Sequence, residues 1–291
     1  IKAEFTAVLQ ELLDNGNVHN QFTQSIIIQV SKNKHPVYIS DYRPITLLNS
    51  DYKVLAKILS TRFQAVCTEI LEPTKTAIFP GRTVIHTLTA MRDLIFFQEH
   101  KINNTTLALI SLDLRKAYDN VQHDFLWFLM KKKMSLPENI ISLVRQLYSS
   151  AASRILCNGY LTKTISVQKS VRQGCPLSMD LFALSLDPPF KQLEHKLTGI
   201  IINNTHLKVR TYADDINIVV NNTAELHTLK SVLDSYTEYS GAKINYSKSK
   251  ILTLSECTDP VTILNMTPAT NIKILGITLT AKLSEMIEIN W

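Results

Sequence analysis

The chain has 291 residues, of which 45% are hydrophobic and 19% are charged. This balance is typical of a globular protein and excludes a long disordered chain. Charges or amides interrupt every apolar run before it is long enough to span a membrane. The formal net charge of +6 comes from 31 Lys and Arg against 25 Asp and Glu, and it fits a polyanionic partner such as nucleic acid.

The cysteines and the first residue indicate the context of the chain. Cys67, Cys157, Cys175 and Cys257 are far apart and form no CxxC pair. This spacing indicates neither a zinc site nor a disulfide framework, and it favours a reducing, intracellular compartment. We expect no signal peptide, and the chain begins with Ile1 rather than Met. We therefore expect it to be a piece of a longer protein.

The N-terminal part alternates between strand and helix signals. Ser25 to Val30 is a short apolar run that predicts a strand, and a polar turn follows it. Apolar residues at helical spacing from Ile45 to Phe63 predict a helix that Pro44 opens. Thr83 is predicted to cap a second helix.

The middle of the chain contains a buried strand, a hairpin and a loop. Leu107 to Leu114 predicts a strand with Asp113 near its end. Two helices follow, and Asn158-Gly159 then predicts a hairpin. The loop Arg172 to Pro176 leads into another helix.

The C-terminal part places an acidic turn between two predicted strands, Val209 to Tyr212 and Ile216 to Val220. Thr223 is predicted to cap the next helix, which ends at Ser240-Gly241, and further strands lie around Ile251 and Ile272. Strands joined by hairpins and flanked by helices predict an α+β fold with a largely antiparallel sheet.

The acidic residues suggest a metal site. Most Asp-Asp pairs at turns are simply solvated, and so are most single aspartates at strand ends. Asp214 and Asp215, however, sit between two apolar strands, and neighbouring strands in one sheet could bring Asp113 against Asp214. A divalent cation would relieve the repulsion between such carboxylates. Hard carboxylate oxygens suit Mg²⁺, and two such ions can assist phosphoryl transfer.

At this point the chain resembles the reverse transcriptases of non-LTR (LINE-type) retrotransposons. Six segments carry the resemblance, in the order of that family: Tyr42-Arg43-Pro44-Ile45 with Leu55 to Leu59, Ser111 to Asp119, Arg172 to Ser178, Tyr212-Ala213-Asp214-Asp215, Ser240 to Asn245 with Lys248-Ser249, and Ile274 to Ile277. They extend from about Ile26 to Leu279. A single tetrad can arise by chance, whereas six ordered motifs do not.

The resemblance implies a right-hand polymerase with an antiparallel palm sheet flanked by helices, helical fingers and a truncated thumb. Residues 1–106 would belong mainly to the fingers, 107–270 to the palm with some fingers elements, and 271–291 to the turn toward the thumb and its start. It also implies that Asp113, Asp214 and Asp215 are catalytic and hold two Mg²⁺ ions, for which Mn²⁺ could substitute. Asp113 and Asp214 would be the more direct ligands.

The resemblance further implies a nucleotide-binding set. Tyr118 would pack under the incoming sugar and leave no room for a 2′-OH. Gln173 and Gly174 would contact the nucleotide or the template, and Lys32 and Arg43 would contact its triphosphate. Lys248 is a candidate general acid for the pyrophosphate leaving group, with Lys250 as its rival.

The implied activity is RNA-directed DNA synthesis, in which deoxynucleotides are added to a primer 3′ end. The expected partners are an RNA template, a DNA primer and dNTPs, without a membrane, and the longer polyprotein would carry an endonuclease domain outside this chain. Family analogy alone suggests the nucleus.

Two alternatives remain open. Motif spelling disfavours a group II intron or retron-like enzyme. The second is a decayed relic that binds nucleic acid without polymerising. Three departures from the family pattern motivate it: Ser31 before the fingers lysine, the altered stretch Lys75 to Arg82, and Pro188-Pro189.

Overall fold

The computed structural model describes residues 2–15, 18–71, 83–100, 108–202, 205–254 and 259–290. The helices are α1 Lys2–Asn15, α2 Asn20–Thr23, α3 Ser50–Ile70, α4 Val84–Glu99, α5 His123–Lys132, α6 Glu138–Ser149, α7 Ser178–Lys196, α8 Thr223–Ser240, α9 Asp259–Leu264 and α10 Leu283–Asn290. The strands are β1 Gln24–Ser31, β2 Tyr42–Leu48, β3 Ala108–Leu112, β4 Ala152–Cys157, β5 Tyr160–Leu161, β6 Ile165–Ser166, β7 Ile200–Ile202, β8 Thr205–Leu207, β9 Val209–Tyr212, β10 Asp215–Val220, β11 Lys250–Thr253, β12 Thr267–Pro268, β13 Asn271–Ile274 and β14 Ile277–Thr280. Short 3₁₀ turns cover Ile39–Asp41 and Tyr118–Asn120.

These elements form two compact units, each built from two stretches of the chain. The first unit contains Ile1–Ile70 and Tyr118–Ser185, and the second contains Leu71–Ala117 and Leu186–Trp291. Helix α7 begins in the first unit and ends in the second. The predicted assignment of fingers, palm and thumb along the sequence stays a prediction.

The first unit is built on the sheet β2-β1-β4-β5, and β6 pairs with β4. Strands β1 and β2 are antiparallel, and β4 lies parallel to β1 on its other side. The predicted hairpin at Asn158-Gly159 joins β4 to β5. Both turn residues have positive φ, 49° and 83°, which is the conformation that a tight two-residue hairpin requires.

The predicted start of the first long helix is wrong. Pro44 lies within strand β2, and helix α3 begins at Ser50. Ile45 and Leu48 fit the helical spacing, but both pair with β1, opposite Ile28 and Ser25 respectively. The register of the distant strand therefore overrides the local periodicity.

The second unit contains the sheet β12-β11-β3-β10-β9. Strand β3 lies between β11 and β10, antiparallel to both. Both of its faces are covered, because neighbouring residues such as Leu109 and Ile110 are each fully buried. One face packs into an apolar core with α4, β7, β8 and the hairpin β13–β14; its members include Met91, Leu94, Ile95, Leu109, Val219, Leu252, Ile272 and Leu279.

Two helix boundaries test the predicted caps. Thr83 is the N-cap of α4, as predicted. The cap of α8 is Asn222 rather than Thr223: its side chain accepts a hydrogen bond from the Glu225 N–H, and Thr223 is the first helical residue. The helix ends at Gly241, whose φ of 71° is left-handed, as is common at helix C-termini.

Together these elements confirm the α+β prediction. Among the described residues, no helix combines the length and the apolar character that a membrane crossing requires. Residues Lys75 to Arg82, where the sequence departs from the family pattern, lie outside the described residues, as do Leu107 and Cys257.

Candidate active site

Two neighbouring strands of the second unit bring the three predicted acidic residues together. Leu112, the last residue of β3, pairs with Ile216 on β10. Continuing this antiparallel register by one residue places Asp113 opposite Asp215. Asp214 lies at the turn between β9 and β10. The predicted apposition of Asp113 and the acidic turn is therefore present.

The turn that carries Asp214 has a constrained backbone. Tyr212 pairs with Asp215, so that only Ala213 and Asp214 lie between the two strands. Ala213 has a φ of 53°, in the left-handed region that bulky or β-branched residues rarely adopt. A small residue before Asp214 fits this requirement.

Burial, together with mutual repulsion, raises the pKa values of Asp113 and Asp215. Burial raises the pKa of Asp113, Lys248 opposes that rise, and Asp214 adds to it. Partial burial also raises the pKa of Asp215, and the charges of Asp214 and Asp113 raise it further. Within the described part of the chain, no Lys, Arg or His forms an ion pair with any of the three carboxylates.

Lys248 is close enough to Asp113 to act on its charge. Its side chain is exposed, which leaves it free to move toward a substrate. Lys250, the rival assignment, begins β11 and pairs with Ser111. Ser111 lies two residues before Asp113 on β3, so Lys250 is set back from the end of that strand.

A turn from Asn245 to Ser249 borders Asp113. The Asn245 N–H donates to the Asp113 carbonyl at 2.8 Å, and the Asp113 N–H donates to Ser249 Oγ at 3.0 Å. Asn245 Nδ2 lies 3.5 Å from Asp113 Oδ2. Asp113 is thus held by backbone and side-chain groups of Asn245 and Ser249, which belong to one of the six segments that carry the family resemblance.

The carboxylates alone do not form a closed metal cage. Among the described residues, no three His, Cys, Asp or Glu side chains converge closely enough to hold a metal ion unaided. Mg²⁺ usually keeps several waters and takes ligands from substrate phosphates as well as from one or two carboxylates. An open, mutually repelling carboxylate set is compatible with that mode of binding.

In the first unit, the loop with Gln173 and Gly174 is fastened to strand β2. The Thr46 N–H donates to the Gln173 carbonyl at 2.7 Å. A Cβ at Gly174 would lie 2.6 Å from the Thr46 carbonyl oxygen, and its φ is +111°. Only glycine fits both the close approach and the backbone conformation.

Tyr118 lies against the start of helix α7, which follows this loop. Its ring stacks on Phe182, with centroids 4.5 Å apart and planes 19° apart. Its hydroxyl donates to Met179 Sδ at 3.2 Å. Its carbonyl accepts from the Val171 N–H at 2.9 Å, so that Tyr118 and the loop are held together.

Arg172, the first residue of the same loop, is buried, with 3% of its surface exposed. Its guanidinium carbon lies 5.3 Å from the Tyr52 ring centroid and 5.9 Å from that of Tyr148. Arg172 Nη2 donates weakly to the Leu147 carbonyl at 3.4 Å. Stacking on two rings supports this buried cation and anchors the chain directly before Gln173.

Lys32 and Arg43 lie at the end of the β1–β2 hairpin. Arg43 is exposed on β2 and pairs with Val30. Lys32 is also exposed, and its Nζ donates to the Ser40 carbonyl at 2.8 Å. Arg43 is three residues from Thr46, so the same strand carries this cation and fastens the Gln173 loop.

A family comparison settles the class of protein. The family described as "Reverse transcriptase (RNA-dependent DNA polymerase)" matches residues 30–279. The chain belongs to the reverse transcriptase family. The match begins near the end of β1, ends in β14 and includes the acidic turn, the Gln173–Gly174 loop and the Asn245 turn.

Relatives of this reverse transcriptase chain come from mobile elements. An uncharacterized 149 kDa protein of transposon TX1 from Xenopus laevis is 31% identical over 248 residues, or 84% of this chain and 19% of the relative. The Pol polyprotein of a type-1 retrotransposable element R2 from Popillia japonica is 26% identical, over 72% of this chain and 29% of the relative. The RNA-directed DNA polymerase of mobile element jockey from Drosophila melanogaster is 24% identical, over 95% of this chain and 31% of the relative.

These relatives confirm the predicted resemblance to non-LTR retrotransposons. The chain spans about a fifth to a third of their length. The polymerase fold is confirmed by telomerase structures. Apo telomerase from Candida tropicalis matches with a TM-score of 0.62 at 13% identity, over 98% of this chain and 53% of that chain. Telomerase from Candida albicans with a telomeric RNA fragment matches with a TM-score of 0.61 at 12% identity, over 90% and 45%.

The structure adds contacts that sequence patterns did not predict in this reverse transcriptase domain. Thr46 fastens the Gln173–Gly174 loop through its backbone, and Phe182 supports the Tyr118 ring. The contact with Thr46 is made by backbone atoms, which are the same in every residue type. Gly174 was therefore the only sequence signal for this contact. A large apolar residue near the start of a helix is ordinary, and it gave no reason to single out Phe182.

Proposed function

We propose that this domain is an RNA-directed DNA polymerase that transfers deoxynucleotides to a primer 3′ end by a two-metal mechanism. The supporting observation is the meeting of Asp113 with the Asp214–Asp215 turn on adjacent antiparallel strands. This arrangement concentrates negative charge at one edge of a rigid, buried sheet. It is what a magnesium-dependent nucleotidyl transfer site needs from its protein.

The residues present fit a pair of Mg²⁺ ions. Asp113 and Asp214 would be the main ligands and Asp215 a supporting one, with Mn²⁺ as a substitute. The pKa values of Asp113 and Asp215 are raised first by burial and then by the neighbouring carboxylates, and a bound cation would offset both effects. When bound, two such ions stabilise the charge that develops on the attacking and leaving oxygens.

The chain's own residues then have separate tasks. Asp113 and Asp214 present oxygens at a fixed edge of the sheet. Lys248 neutralises part of the charge near Asp113 and gives a proton to the leaving pyrophosphate.

In the first unit, Arg43 and Lys32 supply charge for a triphosphate, with Arg43 suited to bidentate contact. Gln173 and the exposed backbone of Gly174 offer polar contacts to the nucleotide or the template. The Tyr118 ring, fixed by Phe182, acts as the barrier to a ribose 2′-OH.

The expected partners are an RNA template, a DNA primer and dNTPs, and binding should weaken steeply as salt rises because phosphate contacts release counterions. The domain would act in the nucleus as part of a longer polyprotein that supplies an endonuclease. RNA-directed DNA synthesis and the polyprotein follow the relatives' names, whereas the nucleus and the endonuclease rest on family analogy alone.

A primer-extension assay tests the proposal. The purified chain is mixed with a DNA primer annealed to an RNA template, Mg²⁺ and dNTPs. We expect extension that EDTA abolishes and that Asp214→Asn reduces at least roughly thousand-fold, since charge stabilisation by metals provides several kcal/mol.

The Asp214→Asn chain should bind the duplex with nearly the wild-type affinity, measured by fluorescence anisotropy at several salt concentrations. Extension that survives Asp214→Asn would show that the acidic turn is not the site. Salt-sensitive binding without any extension by the wild-type chain would favour the nucleic-acid-binding relic.

A further inference from the structure

We propose that Asn245 and Ser249 are positioning residues that fix the Asp113 carboxylate for metal binding, an inference that rests on the proposed polymerase function. They act through hydrogen bonds to Asp113 and not through contact with substrate. Three sets of contacts carry the inference. The first is a ring of hydrogen bonds on the Asp113 backbone, and the second is the backbone pairing of the residues that follow Asp113. The third is the Asn245 side-chain amide, which is directed at the carboxylate.

The ring joins Asp113, Ser249 and Asn245. Ser249 Oγ donates its one proton to the Asn245 carbonyl at 2.9 Å, so toward Asp113 it can only accept. The Asp113 N–H fills that role at 3.0 Å. The Asn245 N–H closes the ring on the Asp113 carbonyl at 2.8 Å. Both backbone polar groups of Asp113 are therefore fixed by the same turn.

Ser249 is fully buried, so water does not compete for these bonds. The turn itself is tight, because the N–H groups of Lys248 and Ser249 both donate to the Asn245 carbonyl, at 3.0 and 2.9 Å. A carbonyl that accepts from three donors leaves the turn little freedom to move.

The chain after Asp113 is held by the same segment. Leu114 forms an antiparallel bridge with Ile244, and the Arg115 N–H donates to the Lys243 carbonyl at 2.7 Å. The chain that follows Asp113 is thus paired with a neighbouring segment and does not form a free loop. This fixes the direction of its Cα–Cβ bond.

The Asn245 side chain addresses the carboxylate itself. Ser247 Oγ donates to Asn245 Oδ1 at 2.9 Å, which turns the amide NH₂ group toward Asp113. Nδ2 lies 3.5 Å from Oδ2, at the outer limit of a hydrogen bond. Such a contact biases the carboxylate rotamer and engages only one of its roughly four lone-pair sites, so the others stay available to a cation. Partners that orient metal ligands in this way affect metal affinity or activity roughly ten- to hundred-fold.

A purely structural role would leave the metal requirement unchanged, so the test measures that requirement. The variants are Asn245→Ala, which keeps all the backbone bonds, and Ser249→Ala, which opens the ring. Ser231→Ala, at an exposed position on α8, is the matched control. Each is assayed for the Mg²⁺ concentration that gives half-maximal primer extension, for kcat and for the KM of template-primer.

We expect both variants to need roughly ten-fold more Mg²⁺ with an unchanged KM for template-primer, while Ser231→Ala behaves like wild type. Titration of Mn²⁺ by electron paramagnetic resonance, with template-primer and a non-extendable nucleotide present, should show the same loss of affinity without relying on turnover. Wild-type Mg²⁺ and Mn²⁺ dependence in Asn245→Ala would overturn the inference, even if Ser249→Ala fails to fold.

The two proposals fail in different ways. A wild-type chain that binds Mn²⁺ but extends no primer would contradict the polymerase function alone, and the Mn²⁺ titrations would still decide the role of Asn245. Extension with an unchanged metal requirement in both variants would contradict the positioning role alone. A wild-type chain that binds no Mn²⁺ in the presence of template-primer and nucleotide would overturn both.

Discussion

The acidic edge of the second unit and the Gln173–Gly174 loop of the first are both fastened to a neighbouring segment, but by different means. At the acidic edge, side chains supply the chemistry: Ser249 Oγ accepts from the Asp113 N–H, and Asn245 Nδ2 donates to the Asp113 carboxylate. In the loop, backbone meets backbone: the Thr46 N–H bonds to the Gln173 carbonyl, and Gly174 lies against the Thr46 carbonyl.

At the acidic edge, the chemistry can therefore be changed while the fold is kept, whereas in the Gln173–Gly174 loop a change in either affects the other. Replacing a carboxylate with an amide at the exposed acidic turn removes a charge and leaves the backbone bonds intact. Adding one methyl group at Gly174 disturbs both the backbone conformation and the contact with Thr46. The loop should therefore tolerate less change in shape, and the acidic edge less change in charge.

The largest effect that sharpens this comparison is expected from Gly174→Ala. The added Cβ would lie 2.6 Å from the Thr46 oxygen at a φ of +111°, so the loop must move. We expect a loss of about 1–3 kcal/mol in the free energy of unfolding, together with a fall in polymerase activity of roughly a hundred-fold. Urea denaturation and primer extension measure the two effects.

Gly159→Ala is the matched control. Gly159 also has a positive φ, +83°, but a Cβ there would meet nothing within 4 Å. It should cost only the conformational strain, about 1–2 kcal/mol, and leave catalysis unchanged. If the two variants lose activity equally, the contact with Thr46 has no special role.

A smaller effect is expected for sugar selection. Tyr118→Ala removes the ring that stacks on Phe182, and it should lower the preference for dNTPs over rNTPs by roughly ten- to hundred-fold, a size typical of lost steric discrimination. Tyr118→Phe keeps the ring and loses the hydroxyl contact with Met179, so its selectivity should stay near that of wild type. The measurement is the ratio of kcat/KM for the two nucleotides. Unchanged selectivity in Tyr118→Ala would exclude the gate.

The smallest effect concerns stability at the acidic edge. The pKa of Asp215 is raised by partial burial and by Asp214 and Asp113. A carboxyl whose folded pKa lies above its unfolded value destabilises the fold when charged, and this cost disappears as the pH falls through the folded pKa.

We therefore expect Asp215→Asn to raise the melting temperature in EDTA at pH 8 by about 1–2 °C, a small gain because solvent screens an exposed charge. The gain should shrink at about pH 4, close to the pKa of a free aspartate. Circular dichroism at the two pH values measures it. A lower melting temperature for the variant at pH 8 would mean that Asp215 has a stabilising contact at the turn.

The sequence predicted the acidic edge well because two independent signals coincide there. Apolar strands flank both Asp113 and the Asp214–Asp215 turn, and strand period fixes where each side chain points. The confirmed features, including the Asn158-Gly159 hairpin and the Thr83 cap, are likewise local. Each depends on a few neighbouring residues, which a sequence displays directly.

The features that sequence missed depend on distant partners. Ile45 and Leu48 match a helical period, and only their pairing with β1 makes them part of a strand. The contact between Gly174 and Thr46 joins residues 128 positions apart, and no local pattern records it. Asn222 and Thr223 are both good capping residues, so their types alone could not decide which one caps α8.

The interleaving of the two units has a consequence for how the protein forms during synthesis. The first unit is complete only when Ser185 has been added, because its second stretch begins at Tyr118, after a long stretch of the second unit. Its parallel pair β1–β4 joins Gln24 to Ala152, so strand β1 must wait unpaired on that side while the ribosome adds the intervening chain. Such long-range pairing is slow and exposes strand edges. A chaperone that shields β1 should therefore raise the yield of folded protein more than one that acts after release.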